Sequence, residues 1–362
     1  MNVTVRLPAG TLTVHVERAD LPLAELCGFA SRRSLKRGFV FVSKVLGKHS
    51  PVRPRVMTDV HARLASKLTD LPGPVLVIGM AETATGLGQG VFEHLARPDA
   101  LFLQTTRYRL DRPLALDFEE PHSHAPDHLL YVPTDADLFR CAKSLVLIDD
   151  ELSTGRTLAN LATAYRRLNP GLAEVHVVSL TDWLADDLRA AVTDRVGSTT
   201  RFHSLLSGTF AFAADAAFDP GPVPSAVGGE DFKDDLLPAA SARVGVRGPT
   251  AINVPPLDLR PDDRVLVLGT GEFAHRPYLL ARHLETRGYD VHFQTTTRSP
   301  LMVGDALMSV VETVDNYGDG IPNYVYNVAD RHYDRIVLCY ETRPLPVAHT
   351  LPTQLNATTV FL

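Results

Sequence analysis

The sequence predicts an α/β protein: a parallel sheet flanked by helices, and a second α/β domain of similar pattern. Short runs of consecutive aliphatic residues, such as 75–78 and 145–148, alternate with segments of helical periodicity. Unbroken aliphatic runs are typical of strands that are covered on both faces, as in parallel sheets. The same order of strands and polar turns returns about 190 residues later, which predicts the second domain.

Composition narrows the class of protein. The 362 residues are 45% hydrophobic and 22% charged, as in ordinary globular proteins, and this length predicts two domains. The formal net charge of −6 argues against a general affinity for nucleic acid or anionic membranes. The three cysteines are too few for a disulfide framework, and no apolar run has transmembrane length. We expect a cytoplasmic protein without nucleic-acid or membrane partners; the sequence leaves the oligomeric state open, a homodimer included.

The N-terminal segment predicts a hairpin over residues 1–20 and then the most basic stretch of the chain, residues 31–49. A charge run is most often a solvated face. Here basic and apolar residues alternate tightly, which favours a segment that closes over an anionic ligand. Lys44 and His49 are its candidate contacts.

A helix predicted over about 58–68 leads to a strand at 75–78, a turn of small residues at 79–88 and a helix that carries Val91, Phe92 and Leu95. A strand, a small-residue turn and a helix in this order form an anion site at the carboxyl edge of a sheet. The glycines do not have the G-x-G-x-x-G spacing, so the sequence does not support a dinucleotide site.

A strand predicted over 101–106 ends beside Arg107, which could neutralise a leaving anion. A surface arginine is an equally good interpretation of that residue alone. The polar loop that follows contains His122, His124 and His128. Three histidines without a cysteine are a weak zinc signal, and a mobile lid that supplies an acid, a base or a phosphate contact fits better.

The segment 145–157 is the most informative stretch of the chain. Four aliphatic residues are followed by two carboxylates, a hydroxyl- and glycine-rich turn at 153–157, and an apolar helical pattern. Unpaired N–H groups at the start of that helix would suit a phosphate monoester, and the carboxylates could bind vicinal hydroxyls or face Mg²⁺. The combination describes a ribose 5-phosphate. The alternative is an N-cap beside two solvated acids, and spacing alone leaves the two about even.

The chain continues with a strand at 175–180, a helix at 183–191 and a closing strand or hairpin at 201–212. Residues 216–256 are rich in Pro, Gly, Ala and Asp and are predicted to be a linker. Beyond it, residues 265–272 repeat 75–82, residues 293–301 repeat 103–110, and 335–339 repeat 144–148. In place of the acidic pair and the turn, the copy has Tyr340-Glu341-Thr342-Arg343-Pro344, so it lacks the proposed phosphate loop.

These motifs resemble those of a known family. Residues 145–157 resemble the 5-phosphoribosyl-1-pyrophosphate (PRPP) signature of type I, orotate-like phosphoribosyltransferases. Thr297-Arg298-Ser299-Pro300 resembles the tetrapeptide that gives the TRSP domain its name. The chain therefore resembles, over nearly its full length, the fusion of these two domains that is associated with tellurium-resistance and stress genes.

The resemblance implies a Rossmann-like phosphoribosyltransferase domain at 1–215, including a hood at 1–57, and a TRSP domain at 257–362 that is a degenerate repeat of the first. It implies a pentosyltransferase that moves ribose 5-phosphate from PRPP, with Mg²⁺, to a base-like acceptor. The product would be a nucleoside-like metabolite linked to the tellurite or stress response. A non-catalytic PRPP or nucleotide regulator, or an enzyme that cleaves nucleotides in reverse or by hydrolysis, are the alternatives.

The resemblance also implies roles for individual residues. Asp149, Asp150 and Arg107 would be catalytic, and the two aspartates would contact Mg²⁺, partly through water or PRPP. The loop that holds pyrophosphate, which in such enzymes often contains a non-proline cis peptide, would be Met80, Ala81, Glu82 and Thr83. The 5-phosphate would be held by Ser153, Thr154, Gly155, Arg156 and Thr157. The lid and acceptor pocket would include Lys44, His49, His122, His124 and His128.

Overall fold

The structure is a computed structural model, and it describes residues 1–33, 37–116, 118, 128–197, 199–222, 229, 231–238 and 241–362. The helices of this part of the chain are α1 (Leu23–Leu26), α2 (Pro54–Ala65), α3 (Thr85–Leu95), α4 (Ala136–Cys141), α5 (Arg156–Leu168), α6 (Asp186–Val196), α7 (His275–Thr286) and α8 (Leu351–Gln354). Among them, none combines the length and the apolar character that crossing a bilayer requires.

Strands alternate with these helices along the chain. They are β1 (Asn2–Leu7), β2 (Gly10–Ala19), β3 (Cys27–Ser31), β4 (Phe39–Ser43), β5 (Val75–Gly79), β6 (Ala100–Gln104), β7 (Ser144–Ile148), β8 (Glu151–Leu152), β9 (Glu174–Asp182), β10 (Thr199–Ala214), β11 (Arg264–Gly269), β12 (Asp290–Thr295), β13 (Val310–Val314), β14 (Pro322–Tyr326), β15 (Arg335–Tyr340) and β16 (Thr358–Phe361).

The contacts of the chain divide it into two compact units that do not follow chain order. Unit 1 contains residues 1–58, 209–228 and 252–362, and unit 2 contains residues 59–208 and 229–251. The sequence predicts domains at 1–215 and 257–362 with a linker between them. The structure instead groups the N-terminal segment with residues 252–362, and part of the predicted linker with the first sheet.

Unit 2 is built on a parallel sheet with the strand order β10-β9-β7-β5-β6. Every residue of β5, β6 and β7 is buried, as expected for strands covered on both faces. The apolar side of α5, which includes Leu158, Leu161 and Tyr165, packs against Leu145 and Leu147 of β7 in one core cluster. The predicted parallel sheet flanked by helices is confirmed.

Unit 1 contains a second parallel sheet, with the order β12-β11-β15-β16. The apolar face of α7 packs on β11 and β12, with Tyr278 and Leu280 in that core. The unit also holds the antiparallel hairpins β1–β2, β3–β4 and β13–β14. The predicted second α/β domain is therefore present in the fold.

The two sheets share strand order and individual hydrogen bonds. In unit 2 the backbone of Thr106 pairs with Leu129, and in unit 1 that of Thr297 pairs with Tyr324. The hydroxyl of Tyr131 accepts the N–H of Leu110 at 2.7 Å, and in unit 1 a tyrosine hydroxyl accepts a leucine N–H at the same distance. That second pair is Tyr326 and Leu301. The repeat thus extends to the loops that follow the strands, where packing of the sheet alone does not require it.

The N-terminal segment adds to the unit 1 sheet. Val52 forms a two-way backbone pair with Phe293 of β12, and the N–H of Thr295 donates to the carbonyl of Gly47 at 2.8 Å. Gly47 has φ +68, and a Cβ there would lie 2.7 Å from the Phe293 ring, so only glycine fits this close approach. The conformation explains why Lys48 and His49 are buried within unit 1.

Part of the predicted linker belongs to unit 2. The carbonyl of Ala242 accepts the N–H of Gln104 at 2.9 Å, and Val246 pairs in both directions with Phe102 of β6. The exposed edge of β6 offers unpaired backbone groups, and this segment satisfies them. The Pro- and Gly-rich composition does not reveal that pairing, because it depends on a partner more than a hundred residues away.

Candidate functional site

Two loops meet at the carboxyl edge of the unit 2 sheet. Because β5 and β7 are neighbouring parallel strands, the residues that follow them emerge side by side. The N–H of Met80 donates to the carbonyl of Ile148 at 2.9 Å and ties the first loop to the end of β7. The chain leaves β5 towards β6 on one side, while β7 lies on the other. Ligands of α/β sheets bind at such a switch point.

The loop 80–83 is held from the neighbouring strand. The N–H of Ala81 donates to Oγ1 of Thr105 at 2.8 Å, and the N–H of Thr105 donates to the carbonyl of Gly79 at 3.0 Å. The peptide bond between Ala81 and Glu82 is cis. A Cβ at Gly88 of α3 would lie 2.9 Å from Cα of Gly79, so glycine lets that helix approach the strand below the loop.

The acidic pair follows β7 directly. The N–H of Asp149 donates to Val178 of the neighbouring strand, at 3.0 Å, and the N–H of Asp150 donates to Oδ1 of Asp149 at 2.9 Å. Burial raises the pKa of the Asp149 carboxyl well above its usual range, and the charge of Asp150 raises it further. A carboxyl group whose ionisation is disfavoured in this way is typical of a functional site.

The turn 153–157 opens towards solvent. Gly155 precedes α5 with φ 65, a conformation that L-residues with a side chain rarely adopt. Thr154, Arg156 and Thr157 are exposed around it, and Ser153 is half-buried. The first N–H groups of α5 have no partner within the helix, and its dipole favours an anion there. This geometry suits a phosphate group.

His128 reaches the same site through Thr105. Its Nδ1 lies 3.1 Å from Oγ1 of Thr105, which also accepts the N–H of Ala81. Burial lowers the pKa of His128 to about 3, and the positive charge of Arg107 contributes to the shift. The ring is therefore neutral at physiological pH. It supports the loop 80–83 through one hydroxyl.

We predict that His128→Asn reduces the loss of stability in acid. The unfolded chain binds a proton at this histidine below about pH 6.5, whereas the folded chain does so only near pH 3. The free energy of unfolding of the wild type therefore decreases as the pH is lowered from about 6.5 to about 3. Asparagine occupies the equivalent place in unit 1, where Oγ1 of Thr296 donates to Oδ1 of Asn323 at 3.2 Å. Urea unfolding of both proteins from pH 7 to 4 measures the difference. The exposed His15→Asn is the control, and equal pH slopes for wild type and His128→Asn would refute the assignment.

Two of the other lid candidates belong to unit 1. Lys44 belongs to unit 1, where its Nζ donates to the carbonyl of Ala24 at 2.8 Å. His49 is buried in the same unit, 6.1 Å from the Tyr326 ring, and its carbonyl accepts from Asn327. His122 and His124 lie outside the described residues. Among the three candidates that the structure describes, His128 belongs to unit 2 and contacts loop 80–83 through Thr105.

Two residues of the site were missed by sequence reasoning. Thr105 connects loop 80–83 to His128, and its position in the repeated Gln-Thr-Thr motif was the available signal. Arg243, in the predicted linker, is only 2% exposed and donates from Nε to Oγ1 of Thr106 at 3.2 Å. Its guanidinium lies 5.7 Å from the centre of the Tyr108 ring. No local pattern marks it.

Asp149 and Asp150 are the candidate metal ligands of the site. Among the described residues, no group of three or more His, Cys, Asp or Glu side chains is arranged to hold an ion. Mg²⁺ commonly takes one or two protein carboxylates and completes its shell with substrate oxygens and water. The oxygen donors of Asp149 and Asp150 suit that kind of site.

Two family models match the chain. The model described as "Phosphoribosyl transferase" matches residues 26–209, just over half of the sequence. The model described as "TRSP domain C terminus to PRTase_2" matches residues 251–354. A search of curated proteins finds no match. Arg243 thus lies between the two matched regions.

Solved structures of low identity were also found. An adenine phosphoribosyl transferase from Trypanosoma brucei, in complex with AMP, pyrophosphate and ribose-5-phosphate, is 14% identical, with 56% of this chain and 86% of that chain covered and a TM-score of 0.37. An APRTase from Giardia lamblia complexed with 9-deazaadenine is 14% identical, with coverages of 52% and 98% and a TM-score of 0.33. The orotate phosphoribosyltransferase of Mycobacterium tuberculosis H37Rv, in complex with Fe(III) dicitrate, is 13% identical, with coverages of 51% and 92% and a TM-score of 0.30.

Proposed function

The chain belongs to the family of phosphoribosyl transferases that carry a C-terminal TRSP domain, and we propose that it transfers ribose 5-phosphate from PRPP to a base-like acceptor. The observation that carries the proposal is the meeting of loop 80–83 with the acidic pair and turn 153–157 at one switch point, tied by the bond from Met80 to Ile148. A ligand with a phosphate at each end and a diol between them matches that order of groups.

Each part of the site has a proposed task. The hydroxyls and N–H groups of Ser153, Thr154, Gly155, Arg156 and Thr157 hold the 5-phosphate. Asp149 and Asp150 accept hydrogen bonds from the ribose hydroxyls. Loop 80–83 and Arg107 hold the pyrophosphate, and His128 acts on that loop through Thr105 as a positioning residue.

In the proposed reaction, the bond between C1 of the ribose and the pyrophosphate oxygen breaks, and a nitrogen of the acceptor bonds to C1. Pyrophosphate leaves with the electron pair, and the acceptor nitrogen loses its proton. Arg107 stabilises the charge that develops on the leaving group. The carboxylates of Asp149 and Asp150 lie on the ribose side, where positive charge develops. Mg²⁺, held by these aspartates and by PRPP, would supply further neutralisation of the pyrophosphate charge.

The product and the acceptor class are proposed from the resemblance to the family. We propose a cytoplasmic biosynthetic step that yields a nucleoside-like product linked to the tellurite or stress response. The acceptor is a nitrogen heterocycle of the size of a nucleobase.

Phosphorus NMR of PRPP and Mg²⁺ with the protein tests the proposal. Purine and pyrimidine bases and related heterocycles serve as the acceptor panel. We expect pyrophosphate and one new phosphate monoester to appear only with an acceptor. Pyrophosphate together with ribose 5-phosphate, without an acceptor, would instead identify a hydrolase. Bound but unchanged PRPP across the panel would contradict the transferase and favour a regulator.

A further inference from the structure

The carboxyl edge of the unit 1 sheet is also built as a ligand site. There the chain passes from β11 to β12 on one side, and β15 lies on the other, so the loops after β11 and β15 meet at a switch point of this sheet. Open α/β sheets bind ligands at this place. The loop after β11 is Thr270-Gly271-Glu272.

This loop is held in place by the same kinds of hydrogen bond that hold loop 80–83 in unit 2. The N–H of Gly271 donates to Oγ1 of Thr296 at 2.9 Å, as that of Ala81 does to Thr105 at 2.8 Å. The N–H of Thr296 donates to the carbonyl of Gly269 at 3.1 Å, which again matches unit 2. Oγ1 of Thr296 in turn donates to Oδ1 of Asn323 at 3.2 Å, as Oγ1 of Thr105 contacts His128 in unit 2. The scaffold of the loop is therefore retained.

Polar groups are concentrated at this edge to a degree that packing does not require. Lys48, Glu272, His275, Thr296 and Asn323 are all more than nine-tenths buried. The hydroxyls of Thr270 and Thr295 are fully buried and have no hydrogen-bond partner among the described residues. Buried hydroxyls without partners are uncommon in folded proteins, and a bound ligand is one explanation for them.

The charge at this edge favours an anion. Nζ of the buried Lys48 donates to the carbonyl of Gly271 at 3.0 Å, and so sits directly at the loop. Arg276 follows the loop in the first turn of α7, and Arg298 follows β12. The only carboxylate of the loop itself is Glu272. The loop and the segments beside it thus carry Lys48, Arg276 and Arg298 against Glu272, and the loop after β15 adds one carboxylate, Glu341, and one cation, Arg343.

The loop after β15 differs from the loop after β7, and its polar side chains bond to a neighbouring segment of the chain. After β15, Nδ2 of Asn316 donates to Oγ1 of Thr342 at 2.9 Å, and that hydroxyl donates to the Asn316 carbonyl at 3.2 Å. The hydroxyl of Tyr317 donates to Oε1 of Glu341 at 2.7 Å. These contacts lie directly after β15, at the position that the acidic pair occupies after β7 in unit 2. The loop after β15 has no copy of turn 153–157.

We propose that the carboxyl edge of the unit 1 sheet is a second anion site, which binds a phosphate or diphosphate group at residues 270–272, with Lys48 as its main cation. The proposal rests on the proposed function in one respect, the assignment of loop 80–83 to pyrophosphate. It gives the TRSP domain a binding role that does not include transfer.

Calorimetric titration with inorganic pyrophosphate tests the site, in full-length protein that carries Arg107→Ala to weaken the site of unit 2. We expect one equivalent to bind. Adding Lys48→Met should weaken this binding by about tenfold to a hundredfold, the effect of losing a charged hydrogen bond. Lys143→Met is the matched control, since it removes a lysine that also donates to a carbonyl, that of Gly171 at 3.3 Å, and it should leave the affinity unchanged.

A second variant tests the same site in case Lys48→Met does not fold. Thr296→Val keeps the shape of the side chain and removes the hydroxyl that holds Gly271, and it should also weaken binding. The inference is overturned if the Arg107→Ala protein binds no pyrophosphate, or if Thr296→Val and a folded Lys48→Met both bind it as the parent does. Failure of the proposed transferase is a separate result, because it is read from the turnover of PRPP by the wild type.

Discussion

Replacing Asp149 and Asp150 by asparagine is expected to abolish PRPP binding while raising the free energy of unfolding at neutral pH. Hydrogen bonds to a charged group contribute about 1.5–3 kcal/mol each, so the loss of two should weaken binding by at least about a hundredfold. Calorimetry with PRPP and Mg²⁺ measures the affinity, and urea unfolding measures the stability.

The gain in stability follows from the raised pKa of Asp149. In the folded protein, burial and the charge of Asp150 hold this pKa well above the value of about 3.9 for an unfolded aspartate. Between the two values the folded state binds more protons, so the free energy of unfolding falls as pH rises through the folded pKa. The asparagine variant does not titrate there. Its advantage should therefore vanish near about pH 3 and grow as the pH rises towards the folded pKa of Asp149.

A second acidic pair in the same unit is the control. Asp186 and Asp187 lie exposed in the first turn of α6, where carboxylates interact favourably with the helix dipole. Asp186→Asn/Asp187→Asn should keep PRPP binding and lose a little stability. If Asp149→Asn/Asp150→Asn kept its affinity for PRPP, or was less stable than the wild type at pH 8, the proposed role of this pair would fail.

Gly155→Ala is expected to weaken PRPP binding by about tenfold or more and to destabilise the protein. The residue has φ 65, and a Cβ there would lie 3.1 Å from Cγ2 of Val192. A side chain in the left-handed region costs about 1–2 kcal/mol. Relief of that strain would shift the N–H groups at the start of α5, which are the proposed phosphate donors.

Gly197 provides the comparison, because it has φ +64 in the same unit and, among the described residues other than its chain neighbours, the carbonyl oxygen of Asp194 lies nearest to an added Cβ, at 3.8 Å. Gly197→Ala should be destabilised by a similar amount, since the backbone strain is the same, but it should bind PRPP as the wild type does. Equal affinities for PRPP in both variants would mean that turn 153–157 does not hold the phosphate.

Local pattern was enough to predict the elements that bear the site. The signature strand was expected at 145–148 and forms as Ser144–Ile148, because a short unbroken aliphatic run suits a strand that is covered on both faces. The helix expected at about 58–68 begins earlier, at Pro54, which is suited to a first helical turn. The second sheet was foreseen from the repeated order of strands and turns.

Contacts between distant parts of the chain could not be predicted. Lys48 and His49 lie in the segment predicted to be a hood, and the backbone pairing of Gly47 and Val52 with β12 makes that segment part of unit 1. Arg243 lies in a stretch whose composition predicts a linker, and its burial depends on the free edge of β6. The support of loop 80–83 by Thr105 and His128 likewise depends on two side chains that come from separate segments of the chain.

Hydrogen exchange of the full-length protein, with and without PRPP and Mg²⁺, locates the PRPP site in the chain. We expect slower exchange in peptides that cover residues 79–85 and 149–158, with little change elsewhere in unit 2. The same experiment with Asp149→Asn/Asp150→Asn should show no such protection. Unchanged exchange in both segments of the wild type at saturating PRPP, or protection confined to unit 1, would contradict a PRPP site at this switch point.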